Sequence, residues 1–292
     1  MSSPALSPAY RHSILTRIFG TSRPHIITLA AIIMLALIVL AAIFAPLLSA
    51  HDPVLMVPSE RLKPPSADHL LGTDAMGRDL WARILFGGRV SLIVGAGATL
   101  GAVVIGLPLG LLSGYFRRLD PVIMRIMDGL MAIPGILLAV ALIAIIRPSL
   151  TTVIIAILIP EIPSVVRLAR ARVLTAREEP YVEAARLLGT RGPTMLVRHL
   201  LPNTVAPIVV QSAYIFAAAI LTEAALSFLG VGISAETPSW GNIMADGRLY
   251  FSIKPSLIFW PALALTLTIL SINIIGDALR DALDPKTSKR KG

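Results

Sequence analysis

The sequence contains no cysteine, so neither a disulfide framework nor a thiolate metal centre can be built from it. Charge is also scarce: Asp, Glu, Lys and Arg make up 15% of the chain, against about 25% in soluble globular domains. Lysine falls to five residues and none of them follows a glycine, which excludes the Gly-Lys-Ser/Thr of a phosphate-binding loop. The five histidines, His12, His25, His51, His69 and His199, lack ligand spacing of the HExxH kind. His51-Asp52 and Asp68-His69 read as solvated loop residues, with a transient metal site as the weaker alternative, and no metal ligand is assigned. Sequence repeats are absent, and the only biased tract is the basic ending "PKTSKRKG".

What fills the chain instead is apolar. Hydrophobic residues reach 55% of the 292, and the mean hydropathy is +0.78. Six apolar stretches stand out, at 26–48, 90–115, 122–146, 149–168, 204–232 and 256–276. Each is near or above the roughly 20 residues a helix needs to cross the hydrocarbon core of a bilayer. The first is too long for a signal-peptide core and has no small-residue cleavage site, so it reads as a retained anchor. The fold class is an all-α membrane protein with six transmembrane helices.

A net charge of +9 could suggest a nucleic-acid partner. In a membrane protein, enrichment of Lys and Arg on the cytoplasmic side explains it better, and no nucleic acid is expected. With both termini cytoplasmic, 18 of the 26 basic residues fall inside and eight outside. The chain then divides into a cytoplasmic tail (1–25), a first helix (26–48), an extracytoplasmic loop (49–89), a body of five helices (90–284) and a basic tail (285–292). Within the body lie a cytoplasmic loop, 167–203, and an external segment, 233–255. Residues 49–89 are rich in Pro, Asp and Gly and read as turns. Gly106, Gly110 and Gly114 recur every four residues in the second span, a spacing that lets helices approach closely in lipid. Packing within the chain is the favoured use.

The loop 167–203 holds seven arginines against Glu178, Glu179 and Glu183. Inside it, "YVEAARLLG" begins after Pro180, which suits a first helical turn, and ends at Gly189, which stops a helix. Tyr181, Ala184, Ala185 and Leu188 follow the i, i+3, i+4, i+7 pattern of one apolar face. Glu183 and Arg186 sit off that face as an opposite-charge pair. Two turns of helix are marginal alone in water, so this piece must dock. The residues leave open whether it docks on its own spans or on another subunit.

"EAARLLGTRGPTMLVRHLLP" resembles the signature loop of the membrane subunits of bacterial ABC importers. The pattern is Glu183-Ala184-Ala185, three residues, Gly189, nine residues, an apolar position, one residue, Leu201-Pro202. His199 stands where the general pattern prefers Ile, and the "RHxLPN" ending is similar to the dipeptide/oligopeptide (peptide/nickel-type) branch. "LLGTDAMGRDLWARILFGGRVSL" resembles the GTDxxGRD segment of the C-type permeases of that branch. "MDGLMAIPGILLAV", "ILTEAALSFLGVG", "TPSWGNIM" and "GDALRDALDP" also match in order, so the resemblance runs from about 26 to 285. It implies a type I importer fold in which the helix at 181–188 is a coupling helix on an ATPase. Tyr181, Glu183, Ala184, Ala185, Leu188, Gly189, Leu201 and Pro202 would then be the coupling residues. It also implies a second, similar permease subunit, two ABC ATPase subunits, an extracytoplasmic substrate-binding protein and a peptide substrate. ATP and Mg would be bound by those partners, with no cofactor or catalysis on this chain.

Four acids fall in or near spans: Asp128, Glu161, Glu223 and Asp277. Ionisable groups in a bilayer are costly and by default functional. Asp277 and Asp128 lie near the cytoplasmic edge, where solvation is easy. Glu223 either lines the passage or braces helices. Glu161, between Pro160 and Pro163, is expected beside a kink in the fourth span, within reach of a peptide's amino group. Glu161, Glu223 and Asp128 are thus the candidates for the path or gate. Import of nickel, glutathione or another small solute is an alternative on the same scaffold. An ion-driven secondary transporter and a membrane-embedded enzyme are the alternatives of other classes.

Overall fold

The structure, a computed structural model, describes residues 26–234 and 236–283. The N-terminal tail, the basic C-terminal tail, His12 and His25 lie outside the described residues. Among the described residues no strand forms, and β-type pairing is limited to one isolated bridge, Thr73–Asp79.

The principal helices are α1 (Ile26–Ile43), α2 (Leu80–Tyr115), α3 (Asp120–Met131), α4 (Gly135–Ile146), α5 (Leu150–Ala176), α6 (Pro180–Leu187), α7 (Leu201–Phe228), α8 (Trp240–Gly247) and α9 (Ser256–Leu283). Five regions are long and apolar enough to cross a membrane: α1, α2, α5, α9 and the run that ends in α7. The expected third span is a broken one. Its halves, α3 and α4, meet at 85°, because Pro134 removes a backbone donor and Gly135 follows with poor helix propensity. The kink expected at Pro160 and Pro163 takes a different form: α5 stays assigned as helix through both. The sharp bend sits next door in space, where a Cβ on Gly135 would lie 3.2 Å from Pro160 Cβ.

α2 is the axis of the molecule. A Cβ on Gly106 would lie 2.7 Å from Val165 Cβ, one on Gly110 2.6 Å from Ala169 Cβ, and one on Gly114 2.6 Å from Val173 Cβ. All three partners belong to α5, so the glycine stripe is an internal seam rather than a surface for a second copy. Lipid tails are as apolar as leucine, and close van der Waals contact through small residues is what joins helices there. α7 closes on the other side of α2, with Ile220 and Phe216 against Gly95. α9 joins α7 at Ala213–Gly276. α8 lies across the extracytoplasmic end, its Gly241 against Ala224 and Ser227 of α7, and Trp240 donates its indole N–H to the Ile84 carbonyl at 3.1 Å.

The outer segment is more ordered than a string of turns. α2 begins ten residues before the apolar run, because Asp79 caps it: the carboxylate accepts from Ala82 N at 2.7 Å. Arg83, 1% exposed, then turns inward to Asp74 at 2.5 Å. Asp74 also accepts from Arg78 Nε at 2.6 Å and from the backbone of Met76 and Arg78. Both arginines reach Asp246 of α8, at 2.7 and 3.1 Å. Burial pushes the Asp74 carboxyl up, but Arg83, Arg78 and the two backbone donors outweigh it and hold it below the ordinary value. Lys254 is held beside them by the carbonyls of Thr73, at 2.8 Å, and Lys63. Gly77 has φ +76, and a Cβ there would fall 1.9 Å from the Val57 carbonyl oxygen, so that position admits glycine alone. The GTDxxGRD stretch is therefore a fold element that ties α2 to α8.

Two outcomes follow. Gly110→Leu should overpack the seam by about 1–3 kcal/mol or more and lower the melting temperature in detergent. Gly129→Ala, where nothing lies within 4 Å, should leave it unchanged; equal effects would refute the seam. Asp74→Asn removes the shared partner of two buried guanidinium groups and should cost about 3–5 kcal/mol. Because the Asp74 carboxyl is depressed in the fold, its contribution is present above the ordinary carboxylate pKa and fades as pH falls through the lower folded value. The variant should thus lose the wild type's advantage at neutral pH, read by thermal melts across pH.

Candidate functional site

On the cytoplasmic side the chain leaves α5 and turns at Glu178 and Glu179 into α6, with Pro180 in the first turn as its fixed φ favours. The helix ends in a Schellman motif: Gly189 N donates to Arg186 O and Thr190 N to Ala185 O, at 3.0 and 3.1 Å. Gly189 takes φ +76 for this turn. Past Arg191 the chain runs through a π-helical turn, Met195–Leu200, directly into α7. Leu201 and Pro202 form the first turn of α7, where Pro202 loses no needed donor.

The apolar face read from spacing divides in two. Val182 and Ala185 point inward and join Val173, Ala176, Met195 and Leu200 in one buried cluster. Tyr181, Ala184, Leu187 and Leu188 are exposed, the two leucines at 83% and 86%. Leu187, which the periodicity left out, belongs to the outward face, and Ala185 does not. The one-residue shift arises because Val182, absent from the sequence face, anchors the helix. Tyr181 is pinned by Asn203, whose Nδ2 donates to the phenol oxygen at 2.7 Å and to the His199 carbonyl at 2.8 Å. His199 itself lies in the π-helical turn and is half-buried. Glu183 is exposed on the helix.

The loop's charge is partly spent within the chain. Arg177 donates to the Gly114 and Tyr115 carbonyls at 2.8 and 3.3 Å, closing the C-terminal end of α2. Arg170 grips Asp120 with two bonds of 2.5 and 2.6 Å. Asp128 pairs with Arg167 at 2.7 Å, both largely exposed. These two pairs hold the broken span α3 onto the cytoplasmic half of α5, so Asp128 acts as a tether there.

The other acids separate as well. Glu223 is fully buried and accepts from Ser91 at 3.2 Å and Ser227 at 2.8 Å. It braces α7 against α2. Asp277 accepts from the Tyr214 hydroxyl, joining α9 to α7. Glu161 differs: it is half-buried, and among the described residues no donor reaches its carboxylate. Ser164 bonds to its backbone carbonyl instead, at 2.7 Å.

On the outer side, His51 is exposed as expected, but His69 is 6% exposed and lies between two carboxylates. Its Nδ1 is 2.9 Å from Asp79 Oδ1 and its Nε2 3.1 Å from Glu60 Oε2. Burial pulls the imidazole down, yet the two carboxylates outweigh it and raise its pKa above the ordinary value. Sequence spacing could not find this group, since Glu60, His69 and Asp79 meet only when the outer segment folds.

Known proteins agree with this architecture. The profile of the binding-protein-dependent transport system inner membrane component matches residues 106–289. A protein named probable peptide ABC transporter permease protein y4tQ, from Sinorhizobium fredii, is 49% identical over 252 residues, 86% of either chain. The dipeptide transport system permease protein DppC of Alkalihalophilus pseudofirmus is 44% identical over 269 residues, 92% of this chain and 88% of that protein. The fold is similar to an inward-facing conformation of the MetNI methionine ABC transporter. There the TM-score is 0.56 at 22% identity, covering 69% of this chain and 96% of that one. With a family match over more than half its length and near relatives over most of it, this chain belongs to the inner membrane components of binding-protein-dependent transport systems, as a multi-pass permease subunit of an ABC importer.

Proposed function

We propose that this subunit forms half of a peptide-translocating pore and is driven through α6 by ATPase subunits that it does not itself contain. A second, similar permease chain supplies the other half. Two ABC ATPases bind ATP and Mg beneath the pore, and an extracytoplasmic binding protein delivers di- or oligopeptides to the side bearing 49–89 and 233–255. The chain performs no covalent chemistry; it supplies a path, its gates and a mechanical link. The peptide class is supported by the names of the relatives at 49% and 44% identity.

The observation that carries the coupling reading is the division of α6. Val182 and Ala185 hold it to its own chain while Leu187 and Leu188 stand almost fully in solvent. Paired leucines this exposed, outside the apolar spans and beside basic residues, mark a docking surface. The inward face fixes the helix to the ends of α5 and α7, so a push on it is delivered to the spans. Within the membrane, Glu161 is the acid left without a partner, beside the break between α3 and α4. We assign to it the contact with the ammonium group of a passing peptide.

The complete importer reconstituted in liposomes should take up dipeptides only with ATP inside and binding protein outside. Uptake driven by an ion gradient without ATPase subunits would overturn the reading. Leu187→Asp with Leu188→Asp should leave folding intact, because both side chains are solvated, yet release the ATPase subunits and abolish uptake. Full ATP-driven transport by that double variant would remove α6 from the coupling role. Glu161→Gln should assemble normally and raise the peptide concentration needed for half-maximal uptake several-fold; identical uptake curves would exclude the ammonium contact.

A further inference from the structure

We infer that the outer segment contains a binding site for a borderline divalent cation such as zinc, with His51, His69 and Asp79 as ligands. One ligand atom from each of the three lies within 4.8 Å of the others. Two imidazoles and one carboxylate are the donor set that suits zinc, at bond lengths of about 2.0–2.2 Å. His69 Nδ1 and Asp79 Oδ1 face each other at 2.9 Å, and an ion entering between them would part them to the roughly 3.3–3.5 Å of two tetrahedral ligands. The His51 ring stands 4.8 Å from the His69 ring, tilted by 36°. His51 is exposed, and among the described residues its ring nitrogens have no hydrogen-bond partner, so it can turn to close the site.

A second, independent feature is the support behind His69. Its Nε2 faces Glu60 Oε2 at 3.1 Å, and Glu60 is held in turn by Lys63 at 3.0 Å. Metal-binding histidines regularly donate their far N–H to a carboxylate in this manner, which fixes the tautomer and the ring plane. Without an ion, a protonated ring can donate from Nδ1 to Asp79 and from Nε2 to Glu60. With an ion on Nδ1, the single proton sits on Nε2 toward Glu60 and the Asp79 oxygen becomes a ligand. The other Asp79 oxygen keeps its bond to Ala82 N, so the cap of α2 survives. The ion would join the chain leaving α1 to the first turn of α2, with its fourth position open to solvent on the side of His51.

The test uses the untagged full-length chain in detergent, stripped with chelator and titrated with zinc against a chromophoric competitor. One zinc per chain is expected, with a rise in melting temperature. His51→Ala should keep the zinc-free melting temperature, since its side chain is solvated, and should bind zinc at least tenfold more weakly. Glu60→Gln should weaken zinc by about 10- to 100-fold, as removal of an outer carboxylate does elsewhere. Cobalt in place of zinc should give visible absorption bands that change in His51→Ala. Absence of stoichiometric zinc at micromolar free metal, or equal affinity in wild type and His51→Ala, would overturn the inference.

Discussion

Everything in this subunit hangs on the seam between α2 and α5. A bilayer offers no hydrophobic drive to bring two apolar helices together, so contact must come from shape. Glycines at every fourth position of α2 receive the side chains of α5, and the contact continues outward through Gly97 and Gly101 against Ile154 and Leu158. The seam makes α2 and α5 one rigid unit. α7 and the outer helix α8 are built against the same axis, through Gly95, Gly87 and Gly88.

The cytoplasmic machinery grows out of that unit. α5 continues beyond the apolar stretch to Ala176, and its arginines turn back on the molecule. Arg177 closes the end of α2 while Arg170 and Arg167 hold α3. The basic loop thus has two roles: its excess charge sets which side it occupies, and individual residues fasten the broken span. α6 is then seated on a small cluster formed by α5 and the turn before α7. A two-turn helix that is marginal in water gains its stability from this seat, and its other face is left for a partner.

At the opposite end polarity takes over. Asp74, Arg78, Arg83 and Asp246 form a buried ion cluster that joins α2 to α8, and His69 with its two carboxylates adds a second cluster at the N-cap of α2. Buried charges of this kind are tolerated because each is paired. They specify where the outer segment lies, since any other arrangement would leave a charge unpaired in a poor solvent. With Leu62 and Leu71 packed on the core beside Leu80, these pairs give the segment a defined shape.

Much of this was legible in the chain itself. Long apolar runs, the inside excess of arginine, the glycine spacing and the EAA loop determined the class, the sides, the close packing and the subunit type. The first three follow from local composition or from periodicity along one helix, and the last from the resemblance of the EAA loop to the importer signature. Other features were decided by the tertiary structure. Spacing put Ala185 on one apolar face with Tyr181, Ala184 and Leu188, but Ala185 is buried beside Val182 while the other three stand exposed with Leu187. Glu223 read equally as a pathway residue or a brace, and the hydroxyls of Ser91 and Ser227 that close on it give it the contacts of a brace. Composition described 49–89 as turns, whereas Arg78 there is partnered by Asp246, 168 positions away, and His69 by Glu60 and Asp79. A sequence fixes what each segment would bury or expose alone; which groups meet is settled only when the helices close, because pairing energies act through space and not along the chain.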